Sequence, residues 1–282
     1  MEHVRWSHRP AVDSPVVIIA FEGWNDAGDA ASSAVRYLRD HCEVEPFADI
    51  DPEVFYDFTE TRPEVRLEDD RRTIRWPRNQ FSHGKFPGTD RDVVLLLGTE
   101  PQLRWRTFCE AVDHVATEVG AELIVTFGAL LAEVAHSRPV SVIGSTQDVG
   151  LAAELGLPFS RYEGPTGIVG VLHTALSEVG RPAVSLWAAV PTYVPAAQSP
   201  KATMALVQKV AALLDLSIVT TDLEIATAAY ERQINELVEE DEETRSYVAA
   251  LEDRHDDDGE DFPTGDSLIE EVERFLRDRP ED

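Results

Sequence analysis

Ten charged and polar residues fall in the turns that follow apolar segments of this 282-residue chain, and their types suit acid–base chemistry. Carboxylates, a histidine and arginines on one rim can exchange protons with a small molecule. Residues 160–167 precede a predicted helix, whose free backbone N–H groups could hold an anion. The candidate crevice residues are Glu22, Asn25, Asp26, Glu100, Arg104, His136, Arg138, Arg161, Tyr162 and Glu163.

The same residue types also have structural interpretations. Asp26 can cap a helix, and Glu100 can pair with Arg104 at a helix start. His136 can make an ordinary polar contact. Caps and ion pairs are common, and a sequence does not fix how side chains are placed relative to one another. Both interpretations therefore stay open, and no catalytic residue is assigned.

The turn after residues 16–21 is the most informative of these positions. A short, mainly β-branched apolar run stops at Glu22 and Gly23, and a helix is predicted to begin at Asp26. A buried strand that feeds a helix is typical of an α/β sheet, which holds ligands at the carboxyl ends of its strands. Gly23 and Gly28 do not complete a G-x-G-x-x-G motif, so the turn does not indicate a nucleotide site.

Motifs for nucleophilic, phosphate or metal chemistry are missing from the sequence. It contains no G-x-S-x-G, no G-x-x-x-x-G-K-[ST] and no H-E-x-x-H. The eight histidines are scattered without ligand spacing, and His114 and His173 fall in helical patterns, where a structural role is expected. Cys42 and Cys109 form no zinc motif and are expected to be reduced. We therefore expect no cofactor and no metal.

Four short apolar runs are predicted as buried strands, and helical patterns separate them. The strands fall at 16–21, 93–97, 123–127 and 184–190, and the helices at 26–39, 103–119, 167–179 and 200–214. Such alternation predicts one mostly parallel sheet with helices on both faces. A further strand is expected at 140–143, followed by a helix near 147–155.

Residues 44–76 have a different pattern of apolar and polar residues. Short alternating stretches at 47–50, 54–58 and 73–76 are predicted as edge strands or hairpins that add to the sheet in antiparallel orientation. Phe55, Tyr56 and Trp76 are expected to be exposed there. Residues 79–90 are polar and contain glycine and proline, so they are predicted to form a loop.

The chain is strongly acidic, with 53 acidic and 25 basic side chains and a formal net charge of −28. Such a charge argues against a nucleic-acid backbone or an anionic membrane as partner. No apolar run is long enough to span a bilayer, and the N-terminus lacks the apolar segment of a secretory signal. A cytoplasmic location is therefore expected.

Much of this charge lies beyond Thr221. Residues 222–282 hold 23 acidic and six basic side chains, a net charge of −17. We therefore predict an α/β core domain at 1–221 and an acidic helical extension at 222–282. A mobile acidic link is predicted at 255–261 and a last helix at 267–276. The extension has a narrow apolar stripe that must cover either the core or another subunit, formed by Leu223, Tyr230, Ile234 and Leu237.

Six ordered segments resemble the proteasome-assembly-chaperone family of the second chaperone type, in its actinobacterial-like branch. They are F-E-G-W-N-D-A-G at 21–28, G-T-E-P at 98–101 with R-W at 104–105, T-F-G-A-L-L at 126–131, H-S-R-P at 136–139, S-R-Y-E-G-P-T-G at 160–167 and S-P-K-A at 199–202. The resemblance spans residues 16 to about 215. It implies a three-layer α/β/α core similar to nucleoside phosphorylases and related hydrolases, and it brings no established catalytic residue.

The resemblance also implies a self-associating protein that binds protein partners without catalysis. A homo-oligomer is expected, with a trimer as the first guess and with proteasome-related or other proteins as clients. Two other functions stay open: a hydrolase or transferase of a nucleoside-like small molecule that uses the crevice, and a ligand-sensing module without turnover. An enclosed pocket on which Glu22, Asp26, Glu100 and Arg161 converge would favour the enzyme or the sensor. A shallow dip would favour the chaperone.

Overall fold

A mixed β-sheet of eight strands organises residues 2–68, 70–160 and 162–257, the part of the chain that a computed structural model describes. The strands are β1 (Val4–Trp6), β2 (Val16–Glu22), β3 (Glu45–Ile50), β4 (Glu64–Glu68), β5 (Arg71–Arg75), β6 (Asn79–Lys85), β7 (Asp92–Thr99), β8 (Leu123–Ala132), β9 (Val142–Thr146) and β10 (Ala183–Pro191). The helices are α1 (Ala30–His41), α2 (Trp105–Glu118), α3 (Val149–Leu155), α4 (Ile168–Glu178), α5 (Pro200–Leu213), α6 (Thr221–Glu240) and α7 (Glu242–Asp257).

Four parallel strands form the middle of the sheet. The strand order is β1-β3-β6-β7-β2-β8-β10-β9, and β4 and β5 pair separately as an antiparallel hairpin. In β2, Val16 lies between Val93 of β7 and Leu123 of β8, and β10 pairs with β8 in parallel. The prediction that the four apolar runs are adjacent parallel strands is confirmed. Strands β6 and β9 flank them in antiparallel orientation.

Helices cover both faces of this sheet, which explains why its central strands are apolar at most positions. Ile18 packs into a cluster with α1 and α5, whereas Ile19 points to the opposite face and packs with α2 and α4. Both side chains are fully buried. A strand with two buried faces cannot alternate apolar and polar residues. The predicted three-layer α/β/α sandwich is confirmed.

Strand β6 corrects the loop predicted at 79–90. Asn79–Lys85 pairs with β3 on one side and with β7 on the other. Phe81 is buried on the strand, and the buried amide of Asn79 donates a hydrogen bond to the hydroxyl of Tyr56. Backbone pairing with two neighbours outweighs the polar composition that indicated a loop.

Residues 54–58 do not form the predicted edge strand. A 3₁₀ turn at Pro52–Val54, favoured by its N-terminal proline, leads into an irregular segment. Phe55 and Tyr56 are buried there, so their predicted exposure is wrong, whereas Trp76 is exposed as predicted. Phe55 packs edge-to-face against Phe108 of α2, with ring centroids 5.4 Å apart. Contact with α2 therefore replaces pairing with the sheet.

Helices α6 and α7 pack against each other, and α6 lies along α5. Leu223, Tyr230 and Ile234 are buried as the apolar stripe predicts, but Leu237 is 48% exposed and the next residue, Val238, is buried in its place. Tyr230, Ile234 and Val238 form a small cluster with Val248 and Leu251 of α7. No helix of the part described here is long and apolar enough to cross a membrane.

The predicted acidic link at 255–261 is wrong in its first part. Residues 255–257 belong to α7, which ends at Asp257. Residues 258–261 and the helix predicted at 267–276 lie outside the described residues. Helix α7 continues into the first residues of this acidic run, so the charge run alone did not mark a break in structure.

We propose that residues 222–282 can be removed without unfolding the α/β core. A 1–221 chain keeps the apolar clusters on both faces of the sheet, apart from Leu223, and loses the small cluster under α6. We expect it to melt cooperatively and to associate or precipitate more readily, because the covered surface of α5 becomes exposed. Circular dichroism melts and size-exclusion chromatography measure both effects.

The control for the truncation is Ile234→Ala in the full chain. Ile234 is fully buried in the same contact, so this change should cost about 2–5 kcal/mol while the helices stay in place. A 1–221 chain without a cooperative melt, beside an Ile234→Ala chain that keeps one, would show that α6 and α7 belong to the core.

Candidate functional site

The turn between β2 and α1 is built around Asp26. One carboxylate oxygen, Oδ1, accepts hydrogen bonds from the N–H groups of Ala31 and Ser32 at 2.8 and 3.0 Å, so Asp26 caps α1. The other oxygen, Oδ2, is buried and has no hydrogen-bond partner within the part of the chain described. Burial raises the pKa of the Asp26 carboxyl, because ionisation is costly away from water. Asp26 thus combines a structural role with one unused acceptor.

Glu100 connects this turn to helix α4. Its Oε2 accepts a hydrogen bond from the N–H of Trp24 at 3.0 Å, and its Oε1 accepts one from the N–H of Ile168 at 2.9 Å. Asn25 adds a weaker bond from the N–H of Val169, at 3.4 Å. The prediction that free N–H groups at the start of α4 could hold an anion is therefore wrong for Ile168 and Val169. Glu100 and Asn25 already accept hydrogen bonds from these two N–H groups.

The approach of Asn25 and Glu100 to α4 requires glycine at position 167. A Cβ atom there would lie 2.1 Å from Oδ1 of Asn25 and 2.7 Å from Oε1 of Glu100. Both distances are far inside van der Waals contact. Gly167 therefore lets the two side chains reach the first turn of the helix.

Several predicted crevice residues point elsewhere. Glu22 forms an ion pair with Arg36 of α1 at the surface. Arg104 is exposed where α2 begins, with a backbone φ of 54°, and Glu163 is also exposed. Arg161 lies outside the described residues. Among the described residues, Glu22, Asp26 and Glu100 therefore do not converge on one pocket as predicted, since only Asp26 lines the cavity described below.

His136 and Arg138 belong to the contact with helix α6. The ring of His136 lies 2.7 Å from the hydroxyl of Tyr193 and 2.9 Å from Oδ1 of Asn235 in α6. Lys201 donates a hydrogen bond to the carbonyl of His136 at 2.7 Å and pairs with Glu231 of α6 at 2.5 Å. Arg138 lines a small gap beside them. This cluster ties α6 to the core.

A cavity of about 850 Å³ lies at the carboxyl ends of β2 and β8, where an α/β sheet is expected to hold a ligand. Of the predicted residues, Asn25, Asp26 and Tyr162 line it. Residues 195–198 close one side, and Ala197 also packs into the apolar cluster under α6. The aromatic side chains in its wall are Trp24, Phe159, Tyr162 and Trp187.

His173 is the functional candidate that sequence reasoning missed. It lines the cavity from α4, is 5% exposed, and neither ring nitrogen has a hydrogen-bond partner among the residues described. Burial lowers the pKa of its imidazole, which favours the neutral form. A signal was present: Thr166, Gly170, His173 and Thr174 all line the cavity and recur at helical spacing beside apolar residues.

Thiol chemistry does not fit the fold. Cys42 and Cys109 are both buried, and burial raises the pKa of each thiol to about 12. A thiolate nucleophile would therefore be scarce at neutral pH.

The histidines are not all scattered, as the sequence suggested. Away from the cavity, His8, Glu45 and His83 bring their ligand atoms within 4.8 Å of one another.

Substitution of Asp26 separates its cap from its charge. Asp26→Ala removes the acceptor for two N–H groups and should cost about 0.5–2 kcal/mol of stability. Asp26→Asn keeps that acceptor and should be at least as stable as the wild type at pH 7. Urea unfolding of the three proteins measures both effects, and an unchanged stability of Asp26→Ala would contradict the cap.

The pH dependence should distinguish the same variants. The folded-state pKa of Asp26 is raised above the ordinary value of 3.8, so the folded chain holds this proton more tightly than the unfolded chain. Wild-type stability should fall, relative to Asp26→Asn, as the pH rises from that ordinary value through the raised pKa. The difference should then level off at higher pH. A difference of the opposite sign would contradict the raised pKa.

Comparisons with known proteins agree with this fold. A PAC2 family protein from Streptomyces avermitilis is 46% identical, with a TM-score of 0.79, and the match covers 83% of this chain and 99% of that one. A Mycobacterium tuberculosis protein described as a proteasome-assembly chaperone homologue has the same identity and coverage and a TM-score of 0.76. PbaA of Pyrococcus furiosus, an archaeal homologue of such chaperones, shares the fold at 17% identity and a TM-score of 0.59, covering 86% of this chain and 99% of that one.

Comparison with curated proteins gives no match. The family model described as PAC2 matches residues 20–238, which include the cavity, the Glu100 contacts and most of α6. Family match and 46% identity over most of the chain point the same way. This chain belongs to the PAC2 family.

Proposed function

We propose that this PAC2-family chain is a self-associating, cytoplasmic protein that binds other protein chains without catalysis. Family membership supports this proposal, because a relative of 46% identity is described as a proteasome-assembly chaperone homologue. Proteasome-related proteins are therefore the first class of client, and a homo-oligomer, with a trimer as the first guess, is the working form. The observation that carries the proposal is an exposed apolar hairpin.

The β4–β5 hairpin has one apolar face that is open to solvent. Val65 lies opposite Ile74 and Leu67 lies opposite Arg72, so these four side chains share one face of the ribbon. Val65 and Ile74 are each 50% exposed and Leu67 is 75% exposed. A two-stranded ribbon is marginally stable by itself, and a contiguous exposed apolar surface usually marks an interaction site.

The hairpin region is basic in an otherwise acidic chain. Six of the 25 basic side chains lie between residues 62 and 78, beside four acidic ones. Helices α6 and α7 present the opposite charge, with Glu239, Glu240, Glu242 and Glu243 all exposed. Opposite charges on two surfaces of one molecule steer two copies toward each other.

We infer that the hairpin of one copy docks on α6 of the next. Leu67 would then meet Leu237, which is exposed and surrounded by acidic residues, and Arg72 would face their carboxylates. Such a contact joins two different surfaces, and contacts of this kind close into rings when the rotation allows it. A cyclic trimer is one such ring, in line with the family expectation.

Leu67→Glu should weaken self-association about 10- to 100-fold, because burial of one leucine contributes about 1.5–3 kcal/mol and the new charge would face acidic residues. The matched control is Val149→Glu, since Val149 is also 75% exposed and the added charge is the same. Light scattering at micromolar concentration measures both. Moderate salt is needed, because it screens repulsion between chains that each carry −28.

Two results would overturn this assignment. One is a wild-type protein that is monomeric under these conditions. The other is an equal loss of association in Leu67→Glu and Val149→Glu, which would make added charge, rather than the hairpin, responsible.

The cavity favours a second candidate function, a ligand-sensing module. Asp26 and His173 line a space that has aromatic rings in its wall, and one oxygen of Asp26 and both ring nitrogens of His173 are buried without a partner among the described residues. An unpaired polar atom costs about 1–3 kcal/mol, so a ligand that pairs with these atoms would recover that free energy. No lysine or arginine occurs among the described lining residues, which argues against an anionic ligand.

We infer that this ligand is a flat aromatic molecule whose N–H groups donate to Oδ2 of Asp26. The probe is 2-aminoquinoline, and quinoline-2-carboxylate is its anionic counterpart of similar size and shape. We expect the amine to bind and the carboxylate not to bind. Asp26→Asn should weaken the amine at least about tenfold, as expected for a hydrogen bond to a charged group.

The control for this experiment is Asp40→Asn, which removes the same charge from the exposed end of α1. Isothermal titration calorimetry of the three proteins measures the affinities. Equal weakening in both variants would show attraction to the acidic surface instead of a site. Equal binding of the two probes would show stacking on the aromatic rings without a hydrogen bond to Asp26, which would also contradict this candidate. Binding of neither probe would also overturn this candidate.

A further inference from the structure

His8, Glu45 and His83 meet at the antiparallel edge of the sheet, away from the cavity. Glu45 of β3 and His83 of β6 are directly opposite each other in the ladder, so their side chains lie on the same face. His8 follows β1, which pairs with the other side of β3, and its N–H points to the carbonyl of Phe47 at 3.4 Å. Backbone pairing, with a register shift between Pro46 and Ala48, therefore sets the positions of Glu45 and His83, and His8 closely follows β1.

The spacing of the ligand atoms fits a tetrahedral metal ion. The Nε2 atoms of His8 and His83 are 3.4 Å apart. Two nitrogens bound to Zn²⁺ at about 2.0–2.1 Å with tetrahedral angles are about 3.3–3.4 Å apart. This distance lies beyond the range of about 2.7–3.2 Å for ordinary N–H···O hydrogen bonds, so at most a weak hydrogen bond joins the two rings. With a Glu45 oxygen included, the three ligand atoms all lie within 4.8 Å of one another.

The surroundings hold the two rings in place. The ring of Phe47, which is fully buried, packs at steep angles against His8 and His83, with centroids 6.5 and 5.7 Å away. Fixed rings lose less conformational freedom when a metal binds. His8 and Glu45 are exposed and His83 is half-buried, so an ion can reach the site from solvent.

We propose that His8, Glu45 and His83 bind Zn²⁺. Two imidazoles and one carboxylate are a common zinc ligand set, and three protein ligands leave a fourth position for water or for a group from another molecule. The site shares no residue with the hairpin or with the cavity, so its test does not depend on the proposed function.

The test is a calorimetric titration of the untagged full chain with ZnCl₂. An excess of Mg²⁺ in the buffer occupies the many surface carboxylates, which prefer hard cations, while imidazole ligands select Zn²⁺. We expect one ion per chain. His8→Ala and His83→Ala should each weaken binding at least about tenfold, because loss of even an outer partner of a metal ligand costs 10–100-fold.

Glu45→Gln keeps the size of the exposed side chain and should also weaken binding at least about tenfold, which guards against misfolding of the histidine variants. His255→Ala, in α7, removes a histidine elsewhere and should not change the affinity. Co²⁺ in place of Zn²⁺ should give the intense visible absorption of a tetrahedral site in the wild type and in His255→Ala, and not in His8→Ala or His83→Ala. Absence of a saturable site in the wild type, or undiminished affinity in both His8→Ala and His83→Ala, would overturn the proposal.

Discussion

The carboxylate of Glu100 joins three parts of the fold, and the wall of the cavity depends on it. Glu100 directly follows β7, and its two oxygens bind the N–H groups of Trp24, after β2, and of Ile168, at the start of α4. A carboxylate at a helix N-terminus also interacts favourably with the helix dipole. Because this helix end is occupied, the N–H groups of Ile168 and Val169 are not free for a ligand. Polar side chains in the cavity wall, among them Asp26 and His173, remain available instead.

Patterns that repeat along the sequence could be predicted well. The run at residues 16–21 indicates a strand buried on both faces, and the apolar period of α6 indicates its buried side, with an error of one position at Leu237. Strand β6 could not be predicted in the same way. Its residues are polar, and it exists because β3 and β7 supply hydrogen bonds from both sides. Pairing between distant segments leaves little mark on local composition.

The candidate site could be predicted only in part, for a similar reason. Asn25, Asp26 and Glu100 were found because they follow strands, yet the partner of Glu100 in α4 lies 68 positions away. His173 looked structural because it lies in an apolar helix, and only the fold shows that it lines the cavity. His8 and His83 are 75 positions apart, so no spacing rule connects them. Types of residue indicate chemistry, whereas tertiary contacts decide which of them meet.

Ala197 contributes to two separate features of the structure. It forms part of the cavity wall, and it also packs with Tyr193 against the apolar cluster beneath α6 and α7. Ala197 is half-buried, and residues 195, 196 and 198 around it are exposed. One short surface segment therefore serves both as a wall of the cavity and as support for the acidic helices, so a substitution there alters both contacts at once.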